Sequence, residues 1–132
     1  MRSICFLPRA RSSLAVNIQR GDIYYVDWNP ARGSEQAGQR PAVVIQNDIA
    51  NAVLGYPVTI VCAVSSQIKG YPSMVQVTPS EENGLREVSE VNAAQIMTVQ
   101  KSRLMQRVGR LSATDMKMLE DKLAYMLSIP VR

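Results

Sequence analysis

The sequence predicts a small, mainly β domain, a barrel or strongly bent sheet with one α-helix packed against it. Three observations carry this. Short β-branched and aromatic runs recur through the middle of the chain. Gly, Pro, Asn and Ser punctuate them roughly every eight to twelve residues, the spacing of small all-β folds. Only near the end does the pattern change to the three-and-four spacing of an amphipathic helix. The 132 residues suffice for one buried core and are too few for two domains.

The elements follow in order. Residues 1–19 read as an N-terminal extension, expected to be flexible, before a single domain over 20–132. Its apolar patch before Pro8 is too short for the h-region of a signal peptide. Ile23 to Trp28 reads as a strand, closed by Asn29-Pro30. The polar stretch Gly33–Pro41 is then a loop. Ala42 to Gln46 is a short strand entered through Pro41, and Asn47–Gly55 has room for one helical turn. Val58 to Val64 is the most apolar run and predicts a central strand. Met74 to Thr78 alternates as a half-buried strand does. Ser89–Asn92, Ala94–Val99 and Arg107–Arg110 read as three further extended pieces, with a helical turn over Ser102–Leu104. Ser112 caps the final helix with Asp115 three residues on, a capping-box-like pair. Met116, Leu119, Leu123, Met126 and Leu127 form its apolar stripe, read as core packing, and Pro130 stops it.

Composition removes whole classes of chemistry. The chain has no histidine, so it lacks the usual general acid–base side chain and the commonest metal ligand. Two cysteines, Cys5 and Cys62, make no disulfide framework. No run approaches the length of a transmembrane helix, and a reducing cytoplasm is the expected compartment. The net charge of +4 is unevenly placed. Lys101, Arg103, Arg107 and Arg110 lie within ten residues that hold no acid, a candidate patch for steering a polyanion.

Few polar residues stand where chemistry could be done. Arg40 precedes Pro41, which pushes its backbone to extended geometry and aims its side chain out of the loop. A guanidinium there suits bidentate contact with phosphate, or an ion pair with Glu35. Ser65 and Ser66 end the most apolar strand, placed to donate to an anion or to serve a turn. Ser34, Gln36, Gln39 and Gln67 offer neutral donors and acceptors of the kind that read single-stranded bases. Tyr24, Tyr25, Trp28 and Tyr71 are candidate stacking surfaces, with one exposed at most.

Gly21-Asp22-Ile23-Tyr24, Asn29-Pro30, the run from Gly33 to Val44, Ser65-Ser66-Gln67 and Lys69-Gly70-Tyr71-Pro72 together resemble the MazF/PemK family of toxin endoribonucleases. The likeness covers about residues 20–130. It implies an SH3-like barrel of the CcdB/MazF type with a C-terminal helix, as a homodimer. It also implies metal-independent, sequence-specific cleavage of single-stranded RNA, chiefly mRNA, with no cofactor. The RNA's own 2′-hydroxyl would attack the adjacent phosphate, giving a 2′,3′-cyclic phosphate and a 5′-hydroxyl. A cognate antitoxin would cover the site, and operator DNA would be bound only through the antitoxin complex.

By the same resemblance the catalytic positions are Arg40 and Ser65, the latter replacing a more usual threonine. Arg40 would stabilise the phosphorane, since an arginine's pKa makes it a poor general base. Ser34, Glu35, Gln36, Ser66, Gln67 and Gln95 would hold RNA. Two positions depart from the family. Ala94 and Met97 are apolar where many relatives carry an acid and a base respectively. The extension before Gly21 is also longer than usual. CcdB-like gyrase-binding toxins share the fold without the Arg40 and Ser65 pair. They are the alternative reading, beside a degenerate toxin that binds only antitoxin and operator DNA.

Overall fold

The computed structural model describes residues 17–28 and 39–131. In chain order these form β1 (Asp22–Asp27), β2 (Gln39–Val44), α1 (Asp48–Ala52), β3 (Val58–Ser65), β4 (Met74–Val77), β5 (Ser89–Gln100), a 3₁₀ turn (Lys101–Arg103), β6 (Leu104–Arg110) and α2 (Ala113–Leu127). The strands make one antiparallel sheet in the order β4-β5-β3-β2-β1-β6. The mainly β class with a C-terminal helix is therefore as the sequence predicts, and β3 is central.

The sheet does not close through a strand ladder, because β4 and β6 are its edges. It bends until its two ends meet. The Arg110 N–H donates to the Glu82 carbonyl at 2.9 Å, tying the turn after β4 to β6. Two glycines permit the approach. A β-carbon at Gly109 would lie 2.4 Å from the Asn83 carbonyl, and one at Gly84 would lie 2.0 Å from the Val108 carbonyl oxygen. Gly84 also has φ +68°, which disfavours any side chain.

Strand alternation sends side chains into two clusters. Ile23, Val43, Cys62, Val64, Val75, Val91 and Leu119 fill one. Tyr24, Val26, Ala42, Val44, Val61 and Leu104 fill the other, with Trp28 and Met97 packed against it. Met97 is thus apolar because it covers core.

Strand ends differ from the sequence reading by a residue or two throughout, and three places differ more widely. β2 begins at Gln39 rather than Ala42, since the β1 ladder runs on to Asp27↔Gln39. The two pieces expected at 89–92 and 94–99 are one strand, β5. Its pairing with β3 jumps from Cys62↔Ile96 to Val64↔Val91, so the irregularity is absorbed as a bulge. The Asn92 side chain accepts the Ala94 N–H at 2.9 Å inside it. The helical turn expected over Ser102–Leu104 is the 3₁₀ turn Lys101–Arg103, and β6 begins at Leu104 where extended chain was expected only from Arg107. The pairing Val26↔Leu104 draws Leu104 into the ladder.

The helix α2 starts as expected, with Ser112 Oγ accepting the Asp115 N–H at 3.0 Å. It ends before Pro130, at a left-handed Ser128 with φ 57°. There the Ile129 N–H returns to the Ala124 carbonyl at 2.8 Å. Leu119 is fully buried and Met116 and Leu123 pack beside it, but Met126 and Leu127 remain exposed. Only the first part of the stripe is core.

Candidate active site

The site starts from a proline. Pro41 has no N–H to give, and the β2–β3 ladder stops just short of it, at Ala42↔Ala63. Beyond that point the strands are free to part. Continuing the same register two places would set Arg40 opposite Ser65. A cavity of about 410 Å³ opens there, lined by Arg40 and Pro41 from β2, Val64 and Ser65 from β3, and Ser66 and Gln67 beyond. Tyr25 forms part of its wall from β1, where it pairs with Pro41.

Arg40 and Ser65 are both exposed. Among the described residues Arg40 forms no ion pair. Its guanidinium carries donors in the planar fork that matches phosphate. Ser65 Oγ accepts the Gln67 N–H at 3.0 Å. The turn role and the anion-facing role are therefore compatible, because the hydroxyl keeps its own O–H to donate.

Ser66 and Gln67 line the cavity, as expected of RNA-binding candidates. Gln95 is exposed on β5, within the bulge, and is not among the cavity's lining residues. Ser34, Glu35 and Gln36 lie outside the described residues. Of the four candidate stacking aromatics, Tyr24 is buried, Tyr25 and Trp28 are half-buried, and Tyr71 is exposed.

Sequence reasoning missed Arg86 and Glu87, which line the cavity from the segment between β4 and β5. The available signal was a charged pair in a loop just before a strand. Nothing local to it says that the sheet curls far enough to bring this loop beside β2. The bend at Gly84 and Gly109 does that.

The basic run at 101–110 is a correction. Lys101 is buried, and its Nζ donates to the carbonyls of Asn51 at 3.0 Å and Val53 at 3.2 Å, at the end of α1. Arg103 donates to the Asp27 carbonyl at 3.1 Å. Arg107 and Arg110 converge on the buried carboxylate of Asp22 at 3.2 and 2.9 Å. These cations hold the fold and are not the free polyanion patch that their spacing suggested.

Elsewhere, burial pushes the Cys62 thiol up to about 12, so it is an inert core residue rather than a nucleophile. Tyr24 is likewise raised, by burial and then by Asp22, with Arg107 opposing. Among the described residues no helix is long and apolar enough to cross a membrane.

A family model described as a PemK-like, MazF-like toxin of a type II toxin–antitoxin system matches residues 19–127. The chain is 40% identical to Endoribonuclease MazF9 of Mycobacterium tuberculosis over 116 residues, 85% of this chain and 98% of that protein. It is 35% identical to Endoribonuclease EndoA of Bacillus subtilis over 114 residues, 85% of this chain and 96% of that one. A chain of the solved MazE–MazF structure from Deinococcus radiodurans matches with a TM-score of 0.70 at 26% identity, over 86% of this chain and 98% of that one. With the family model matching most of the chain, the protein belongs to the PemK-like, MazF-like toxins of type II toxin–antitoxin systems.

Proposed function

We propose that this toxin is a sequence-specific, metal-independent endoribonuclease that cleaves single-stranded mRNA, using Arg40 and Ser65. One observation carries the reading: a single open cavity is lined by both residues, brought from two different strands. The names of the two relatives, MazF9 and EndoA, support the reaction class.

In this reading the substrate supplies the nucleophile. The RNA's 2′-oxygen forms a bond to the adjacent phosphorus, and its proton passes to solvent. The bond from phosphorus to the 5′-oxygen breaks, and that oxygen takes up a proton. The products are a 2′,3′-cyclic phosphate and a 5′-hydroxyl. The pentacoordinate phosphorane gains negative charge on the way. The Arg40 guanidinium is placed to stabilise that charge, and the Ser65 O–H can donate to the same phosphate. Because the nucleophile belongs to the substrate, a protein without histidine can run the reaction. Ser66 and Gln67 hold neighbouring nucleotides from the same cavity. By the family resemblance Ser34, Glu35, Gln36 and Gln95 also hold RNA.

The physiological setting is a cytoplasmic homodimer held in check by a cognate antitoxin, with operator DNA bound only by the toxin–antitoxin complex. Solved MazE–MazF complexes of relatives support the antitoxin partner.

The test is a defined single-stranded RNA incubated with purified protein in EDTA. Cleavage to cyclic-phosphate and 5′-hydroxyl ends, abolished by Arg40→Ala and strongly slowed by Ser65→Ala, is expected. Intact RNA, or cleavage that survives Arg40→Ala, overturns the assignment. Inhibition of DNA gyrase without RNA cleavage would point to the CcdB-like alternative.

A further inference from the structure

Glu90 is an acid where a sheet would ordinarily place an apolar side chain. It lies in β5 between Ser65 of β3 and Gln76 of β4, and only 2% of it is exposed. A buried carboxylate is costly unless donors meet it. Among the described residues no basic side chain forms an ion pair with it. Backbone amides donate hydrogen bonds to it instead. The Lys69 N–H lies 3.0 Å from each carboxylate oxygen, and the Gly70 N–H lies 2.7 Å from one of them. Gly70 has φ +67°, a left-handed turn that suits glycine.

Those two amides end the short segment that begins at Ser65. Its start is fixed by the pairing of Ser65 with Glu90 itself. Its middle returns the Gln67 N–H to the Ser65 hydroxyl at 3.0 Å. One residue therefore meets both ends of the segment that carries Ser65, Ser66 and Gln67 into the cavity: its backbone pairs with Ser65, and its buried carboxylate takes the Lys69 and Gly70 amides. What the carboxylate adds is a single geometry for the loop.

We propose that Glu90 is a positioning residue of the active site, holding Ser65–Gly70 in its working conformation before RNA arrives. The proposal rests on the ribonuclease reading for its kinetic consequence and on geometry alone for the loop. A glutamine at position 90 keeps the size but leaves one acceptor oxygen and turns an NH₂ toward backbone donors. The loop is then released and the Ser65 hydroxyl loses its fixed orientation.

The experiment compares wild type, Glu90→Gln and Gly70→Ala in three measurements: kcat and KM on a short single-stranded RNA, thermal unfolding, and tryptic cleavage after the exposed Lys69. For Glu90→Gln, kcat per folded molecule is expected to fall about tenfold with KM changing less, because orientation at the reacting phosphate is what is lost. Cleavage of the Lys69–Gly70 bond is expected to speed up about tenfold in the folded protein, since a tied loop resists proteolysis. Gly70→Ala acts on the same loop from its open side, where a β-carbon meets nothing within 4 Å and only the positive φ is strained. It should move both readouts the same way by less, and it decides the matter if Glu90→Gln does not fold. A kcat within about twofold of wild type, or a loss that vanishes after correction for the folded fraction, overturns the proposal. If wild type cuts no RNA, the ribonuclease reading fails separately, and an unchanged tryptic rate then overturns the loop clamp.

Discussion

Arg40 and Arg86 stand exposed at the mouth of an open cavity, while Lys101, Arg103, Arg107 and Arg110 give their donors to the fold. In the sequence the second group looks the better anion site, with four cations in ten residues and no acid among them. The first group is a pair of isolated arginines more than forty residues apart. The fold reverses that ranking. Availability depends on whether a cation's donors are already engaged, and the carbonyls at the end of α1 and the carboxylate of Asp22 engage the dense group.

The strongest way to break this comparison is Arg40→Ala. It should lower RNA cleavage by about a hundredfold or more, as removal of a preorganised donor to a developing charge does. Its thermal unfolding should match wild type, because the side chain is exposed and unpaired among the described residues. A stability loss matching the activity loss would place Arg40 with the structural group.

Lys101→Met should do the opposite. It withdraws a charged donor from the carbonyls of Asn51 and Val53 and costs about 2–3 kcal/mol in urea denaturation. Cleavage per folded molecule should not change. Weakened RNA binding by the folded variant would return Lys101 to the anion-binding class.

Arg86→Ala sharpens the pair at the cavity. A single phosphate contact predicts an affinity about threefold weaker and a log–log salt slope shallower by about 0.7 for single-stranded RNA. Arg107→Ala, measured alongside, should leave both unchanged. A larger effect at Arg107 than at Arg86 would erase the distinction.

An effect absent at neutral pH comes from Cys62. Its thiol is raised from 9.0 to about 12 by burial, so the folded state keeps a proton that the unfolded chain gives up. Its stabilising contribution is full below pH 9 and is lost as pH rises toward 12. Cys62→Ala should flatten the decline in stability over that window, measured by urea denaturation at stepped pH.

Much of this protein was legible in order along the chain. β-branched runs, Asn and Ser caps and the spacing of Met116, Leu119 and Leu123 depend on near neighbours, so local pattern reports them. Arg40 and Ser65 were legible through the family signature, and Arg40 also through the backbone constraint that Pro41 imposes. The bulge in β5 was not, because a register shift is a property of two strands. Nor was the cavity wall at Arg86, which depends on two glycines letting the sheet's ends approach.

By itself the sequence determined the β-rich class, the C-terminal helix with its Ser112 cap, the absence of imidazole chemistry and the family. All of these are written in residue type and short-range spacing. Tertiary structure alone decided which cations the fold engages, which loop lies beside Arg40, and that a buried Glu90 ties down the segment after Ser65. The physical reason is the same in each case. Whether a polar group is available for function is set by the partners that burial brings to it, and those partners lie across the sheet rather than along the chain.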